Sequence, residues 1–286
     1  MTEPRRGARA VAGRAAVAIA PPLRRLLAER DELARSQRRL NRAAADHLRQ
    51  IAELKSHIAA LESAEPATDR APPGYLFIVS YGRSGSTLLQ GVLNSIPGYL
   101  IRGENRGSMY RLHQFHSALE NARAEFAQTA SLTAADSWFG IDEYATATAI
   151  SRMRALVLDA LLRPGPDTRV VGFKEIRWWQ RDWPAYLAFL RELFPGARFV
   201  LNTRDHAAVV KSQWWGKRPE HEVHAELATY EMQLTSMAER LGRNAYRVHY
   251  DDYIADPGTL AGLFEWLGEP LDRRAVDAVL KVRHSF

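Results

Sequence analysis

YLFIVSYGRSGSTLL, residues 75–89, runs a short apolar strand into a turn of Gly, Arg, Ser and Thr and then into the start of an apolar helix. The amides of Gly82 to Thr87 and of the first helical turn have no intrahelical acceptor. With the positive end of the helix dipole they form a cradle for phosphate. Arg83 adds a guanidinium fork, and Ser84, Ser86 and Thr87 add hydroxyl donors. Gly85 is followed by Ser86, so the G-x-x-x-x-G-K-[ST] pattern is broken at the Lys that reaches terminal phosphates. An ordinary nucleotide triphosphatase is thereby disfavoured.

A second segment, Ala197–Trp215, ARFVLNTRDHAAVVKSQWW, predicts a buried parallel strand over 197–202 and a helix beginning near Asp205. Arg204 leaves the strand at its carboxyl end, where open α/β sheets bind ligands. Ser212, eight residues on, lies about two helical turns away and can face the same side. Arg169–Phe173 predicts another strand, followed by Lys174-Glu175-Ile176-Arg177-Trp178-Trp179. The run Tyr246–Pro257, YRVHYDDYIADP, begins as a strand and continues into an amphipathic helix as far as Gly268.

Arg83-Ser84-Gly85-Ser86-Thr87 resembles the 5'-phosphosulfate loop of sulfotransferases that use 3'-phosphoadenosine 5'-phosphosulfate (PAPS). In that loop Lys or Arg precedes a Ser/Cys-Gly-Thr/Ser-Thr/Ser turn. Arg204 and Ser212 resemble the same family's 3'-phosphate segment, Lys174 the basic residue brought to the sulfonyl group, and 246–268 its strand, Tyr-acidic and D-P run. The matches span about residues 74–270 in family order. In motif style they are closest to bacterial and Golgi-type carbohydrate and tyrosylprotein sulfotransferases. The resemblance implies an α/β, P-loop-like three-layer fold with a central, mostly parallel sheet flanked by helices. It implies PAPS as sulfonyl donor, PAP as product, and Gly82 to Thr87, Arg204 and Ser212 as nucleotide contacts. Basic residues near the C-terminus, Arg283 among them, either return to the 3'-phosphate as in the family or form a disordered end.

Sulfonyl transfer to a hydroxyl needs a base beside the attacking oxygen and cations for the charge that develops. Pro97 followed by Gly103-Glu104 resembles the segment in which several carbohydrate and tyrosine sulfotransferases place their Glu. Cytosolic steroid and phenol enzymes use a His further along, which keeps His113 and His116 in contention with Glu104. Arg83 stands where Lys is common, so its role is electrostatic rather than acidic. Lys174 is its expected companion at the sulfonyl group. No metal is expected, because the His and acidic residues show no ligand spacing. Tyr110, Trp138, Phe139, Trp178, Trp179, Trp214 and Trp215 offer aromatic surface for a glycan, glycolipid or hydroxylated metabolite. The competing classes are a small-molecule kinase of P-loop type and a noncatalytic scaffold retaining a PAP-binding domain.

The 286 residues suffice for one substantial core and an appendage, and cysteine is lacking, so disulfides and thiol chemistry are out of reach. The expected location is cytoplasmic. Residues 1–65 hold 13 Lys/Arg against 8 Asp/Glu, a net +5, whereas the other 221 hold 26 against 25. Such a near-neutral body does not suit nucleic acid. The basic excess, in an N-terminal segment 1–21 and the helix after it, either touches an anionic membrane surface or keeps the arm solvated. Over 22–63, Leu26, Leu33, Leu40, Leu54 and Leu61 recur at one heptad position, with His47 as the break. Leu23, Ala44, Ile51 and Ile58 fall on the companion position, interrupted by Arg30 and Gln37. That pattern predicts a coiled-coil helix through which the chain forms a homo-oligomer. A Pro-rich linker over 64–74 leads to the catalytic domain at 75–286, with a helical acceptor-binding insertion around 100–165.

Overall fold

The computed structural model describes residues 21–63, 73–126, 132–212 and 215–281. The chain divides into two units, 1–71 and 72–286. In the first, one helix of 43 residues, α1 (Pro21–Ser63), is described. Its two prolines occupy the first turn, where a missing N–H costs no helical hydrogen bond. Leu33 and Leu40, at one heptad position, and Ile51, at its companion, are exposed. Residues 1–20, with most of the basic N-terminal segment, lie outside the described residues.

The second unit is built on five strands: β1 (Gly74–Val79), β2 (Tyr99–Arg102), β3 (Val170–Glu175), β4 (Arg198–Thr203) and β5 (Ala245–His249). They form one sheet in the order β2-β3-β1-β4-β5, and all four pairings are parallel. A parallel sheet has helices over both faces, so its strands are apolar on both sides. Tyr75, Phe77 and Val79 point to one core cluster, Leu76 and Ile78 to the other. The first cluster is closed by α3 (Ser108–Phe126), α4 (Thr146–Leu156), α5 (Trp183–Leu193), α6 (His206–Val210) and α7 (Glu220–Leu241). The second is closed by α2 (Ser86–Asn94), α8 (Tyr250–Ala255), α9 (Ala261–Leu267) and α10 (Arg273–Leu280). Three layers result.

Phe77 shows how the central strand is gripped. Its ring lies 4.6 Å from Phe173, 5.2 Å from Phe194 and 5.5 Å from Phe199, with no solvent exposure. Burying a side chain of this size is worth about 1.5–3 kcal/mol.

The architecture departs from the sequence reading in three places. Tyr99–Arg102, assigned to the helical insertion, is an edge strand paired with β3; four residues are too few to show a period. α6 ends at Val210, so Ser212 lies beyond the helix rather than two turns along it. Helices α5 and α7, which no sequence motif marks, supply much of the first core cluster.

Gly172 is fixed by its neighbours. A Cβ there would collide with the Leu76 carbonyl of the adjacent strand. Gly172→Ala must push β3 from β1, and should lower unfolding stability by more than about 3 kcal/mol, as a backbone clash in a core does. A urea midpoint unchanged from the natural protein would contradict this.

Candidate active site

All five strands end at one edge, because parallel pairing sets Val79 opposite Glu175 and Leu201, and Thr203 opposite His249. β1 is followed there by the turn Ser80–Gly85, which opens α2. Gly85 is the residue before the helix, with φ 80°, a left-handed conformation in which glycine carries no Cβ penalty. A side chain there would also run into the Tyr250 ring. Arg83 adopts φ 67° without being glycine, a strained backbone at the turn's apex. The first backbone bonds of α2 run from Leu88 and Leu89 to the Gly85 carbonyl, so the amides of Gly85, Ser86 and Thr87 precede the helical ladder.

The turn is held from below. Ser80 Oγ donates to the Asn202 carbonyl at 2.6 Å and lies 2.5 Å from Ser84 Oγ. Asn202 Nδ2 donates to the Ser84 carbonyl at 2.8 Å, and Tyr253 holds the other end of that amide at 3.1 Å. Trp215 Nε1 donates to the Gly82 carbonyl at 3.1 Å. Ser84 is fully buried and its hydroxyl is turned inward to Ser80, whereas Thr87 is exposed at the mouth of the turn.

Arg204 follows β4 on the opposite side. Its Nη1 donates to the Arg83 carbonyl at 3.0 Å, and its guanidinium carbon stands 4.3 Å from the centre of the Tyr250 ring. Its Nε is buried and has no hydrogen-bond partner. The Arg204 amide donates to Tyr81 Oη at 2.8 Å, and that hydroxyl donates to Glu231 at 2.9 Å. Burial pushes the Tyr81 phenol up, so it stays protonated and neutral. Asp205 caps α6 by accepting from the Ala207 amide.

On the β3 side, Lys174 is 5% exposed and Glu175 1% exposed, both unusual for charged residues in a strand. Lys174 Nζ lies 2.6 Å from Glu104 Oε1, and Arg177 Nη1 3.2 Å from Glu104 Oε2. Arg177 Nη1 is also 3.2 Å from Glu175 Oε1. Glu175 accepts three amides as well, from Gly107 at 2.9 Å, Ile176 at 2.8 Å and Arg177 at 3.2 Å. A buried carboxylate is tolerated when its lone pairs are met in this way. It joins the segment after β2, which carries Glu104, to the segment after β3.

The structure thus brings Glu104 to Lys174, and Arg204 to the backbone of the loop that carries Arg83. The two histidines have other partners. His113 packs among Tyr110, Tyr186 and Phe189, with Nε2 3.3 Å from Asp182 and Nδ1 3.2 Å from Ser117. Burial lowers its pKa, so the imidazole is neutral. His116 is also buried, its Nδ1 2.9 Å from Tyr144 Oη. Ser212 donates to the Val209 carbonyl. Arg283 and Trp214 lie outside the described residues. Trp178 and Trp215 are core residues, whereas Trp179 is half exposed over Tyr230, and Trp138 stacks on Phe126 at 4.3 Å.

Asn202, Tyr81, Tyr250, Tyr253, Glu175 and Glu231 were missed as parts of this site. Only Asn202 and Glu175 left a signal, as polar residues ending apolar strands. Tyr250 and Tyr253 stood in the Tyr-acidic run of 246–268, but with no contact assigned to them.

The donor set suits an anionic nucleotide: a turn with outward amides, an arginine with an unmet buried N–H and a lysine at the adjoining strand end. Among the described residues no group of three His, Cys, Asp or Glu is placed to hold a metal ion, and no helix is long and apolar enough to cross a membrane.

Known proteins resemble the chain to differing degrees. The sulfotransferase domain of the Synechococcus PCC 7002 olefin synthase is 19% identical, with a TM-score of 0.47 over 76% of this chain and 80% of that one. The sulfotransferase domain of the curacin biosynthetic pathway is 18% identical, with a TM-score of 0.44 over 72% and 77%. Sulfotransferase STF9 of Mycobacterium avium is 13% identical, with a TM-score of 0.39 over 80% and 70%. No curated protein matches the chain. The family model described as the sulfotransferase family matches residues 73–273, well over half of the sequence, and the chain belongs to that family.

Proposed function

We propose that this protein transfers a sulfonyl group from PAPS to a hydroxyl of a glycan, glycolipid or other hydroxylated metabolite. The observation that carries the reading is the meeting of Lys174 and Glu104 at the sheet edge that also holds the Gly82–Thr87 turn and Arg204. PAPS supplies an activated sulfur: the acceptor oxygen forms a bond to it in line as the bond to the 5'-phosphate oxygen breaks, and PAP departs.

The residues divide the work by position. The amides of the turn, the Thr87 hydroxyl and the Arg83 guanidinium receive the 5'-phosphate and sulfonyl oxygens. Arg204 meets the 3'-phosphate, with its Nε N–H among the donors it has to offer. Ser212 joins it if its hydroxyl leaves the Val209 carbonyl. Lys174 steadies charge on the transferring group. Glu104 takes the acceptor proton; its side chain is one-third exposed, whereas His113 and His116 are buried against α5 residues and Tyr144. Transfer of label from PAPS to acceptor pools tests the reading. Absence of transfer to any glycan, lipid or phenol pool, together with tight PAP binding, would favour the scaffold.

Two substitutions separate chemistry from binding. Glu104→Gln keeps size and hydrogen-bonding capacity, and should leave PAP affinity within about twofold while turnover drops about 10²-fold or more. Full turnover in this variant would move the base elsewhere. Arg204→Ala should weaken PAP binding by about 1.5–3 kcal/mol, roughly tenfold to a hundredfold. A nucleotide lacking the 3'-phosphate should lose less, and calorimetry on the pair checks the difference. Equal losses would remove the 3'-phosphate from Arg204.

Self-association is proposed for the arm, whose exposed Leu33, Leu40 and Ile51 follow the heptad. The basic residues of the arm would add contact with an anionic membrane surface. Removing residues 1–63 should turn an oligomer into a monomer by sedimentation velocity; a full chain that is already monomeric would refute the coiled coil.

A further inference from the structure

The two oxygens of Glu104 have different partners. Oε1 is 2.6 Å from Lys174 and Oε2 is 3.2 Å from Arg177. The two cations are themselves held differently. Arg177 is tied at both ends: its amide and its Nη1 both reach Oε1 of Glu175. Glu175 is fully buried and bound at its other oxygen by the Gly107 amide. Lys174 ends a flexible stem, and the Glu104 carboxylate is its one hydrogen-bond partner among the described residues. Lys174, on a flexible stem, can exchange Glu104 for another acceptor, whereas Arg177 is held in place by Glu175.

We infer that Arg177, anchored by Glu175, is the positioning residue for Glu104, and that Oε1 is the oxygen that receives the acceptor proton. This rests on the transfer reading above. As Lys174 turns to the transferring group, Oε1 opens toward the acceptor hydroxyl while Oε2 remains on the guanidinium. The carboxylate therefore keeps its place through the exchange of partners, and the O–H bond that breaks delivers its proton to Oε1. Misplacing such a group by about 1 Å costs about 10²-fold in rate.

The test uses the full chain, labelled PAPS and a pool of saccharides and hydroxylated aromatics, with PAPS varied. Arg177→Ala should lower kcat about 10²-fold, with KM for PAPS within about twofold. Arg177→Lys should recover much of the loss, and added guanidinium ion should raise the rate of Arg177→Ala but not of Glu104→Gln. A purely structural role would give no such rescue. Full kcat in Arg177→Ala, or equal loss in both Arg177 variants without rescue, overturns the inference. A crystal structure with PAPS bound and no acceptor supplies a reading without turnover: Arg177 should stay on Oε2 with Lys174 off Oε1, and the reverse exchange overturns the proposal. If the natural chain binds no PAP and transfers no label, the transfer reading itself fails, and the inference falls with it.

Discussion

Parallel pairing of β1 with β3 on one side and β4 on the other is the constraint from which the rest follows. It places the ends of the three strands together, and with them the Gly82–Thr87 turn, the Lys174–Glu175 pair and Arg204. The pairing requires close backbone approach, which Gly172 permits by having no Cβ against Leu76. The apolar residues of β1 supply adhesion to both layers at once, since successive side chains alternate between the two core clusters.

Above this platform the polar groups form two networks with different tasks. One is centred on Asn202, whose amide and carbonyl tie Ser80, Ser84 and Tyr253 into a support under the turn. It turns a run of small residues into a rigid cradle, with left-handed Arg83 and Gly85 held in conformations the chain would otherwise leave. The other is centred on Glu175, which couples the segments after β2 and β3 and so fixes the distance between Glu104 and Lys174. Both central groups are buried and satisfied. Such networks specify geometry more than they add stability.

In the proposed reading this division makes sense, because the nucleotide would be held by backbone and by cations that need only be near it, while proton transfer would need a carboxylate at one place. Under the same proposal, Arg83 in the position where lysine is common would neutralise charge while Glu104 moves the proton. The aromatic residues divide likewise. Trp178 and Trp215 use their N–H groups to hold the Glu175 and Gly82 carbonyls, whereas Trp179 is half exposed against the half-buried Tyr230.

By itself the sequence determined the order of strand, turn and helix at 75–94, the strand ends at Lys174 and Arg204, and the lack of a Walker lysine. These are local: apolar runs, glycine and a basic residue at a set offset carry their meaning within about ten residues. Tertiary structure alone decided that Glu104 meets Lys174 across 70 positions of sequence, that Ser84 faces inward to Ser80, and that His113 and His116 belong to the core. It also made Tyr99–Arg102 a strand, because an edge strand is specified by the hydrogen bonds its neighbour offers rather than by its own four residues. Side-chain direction and long-range pairing depend on which surfaces the sheet brings together, and no single segment contains that information.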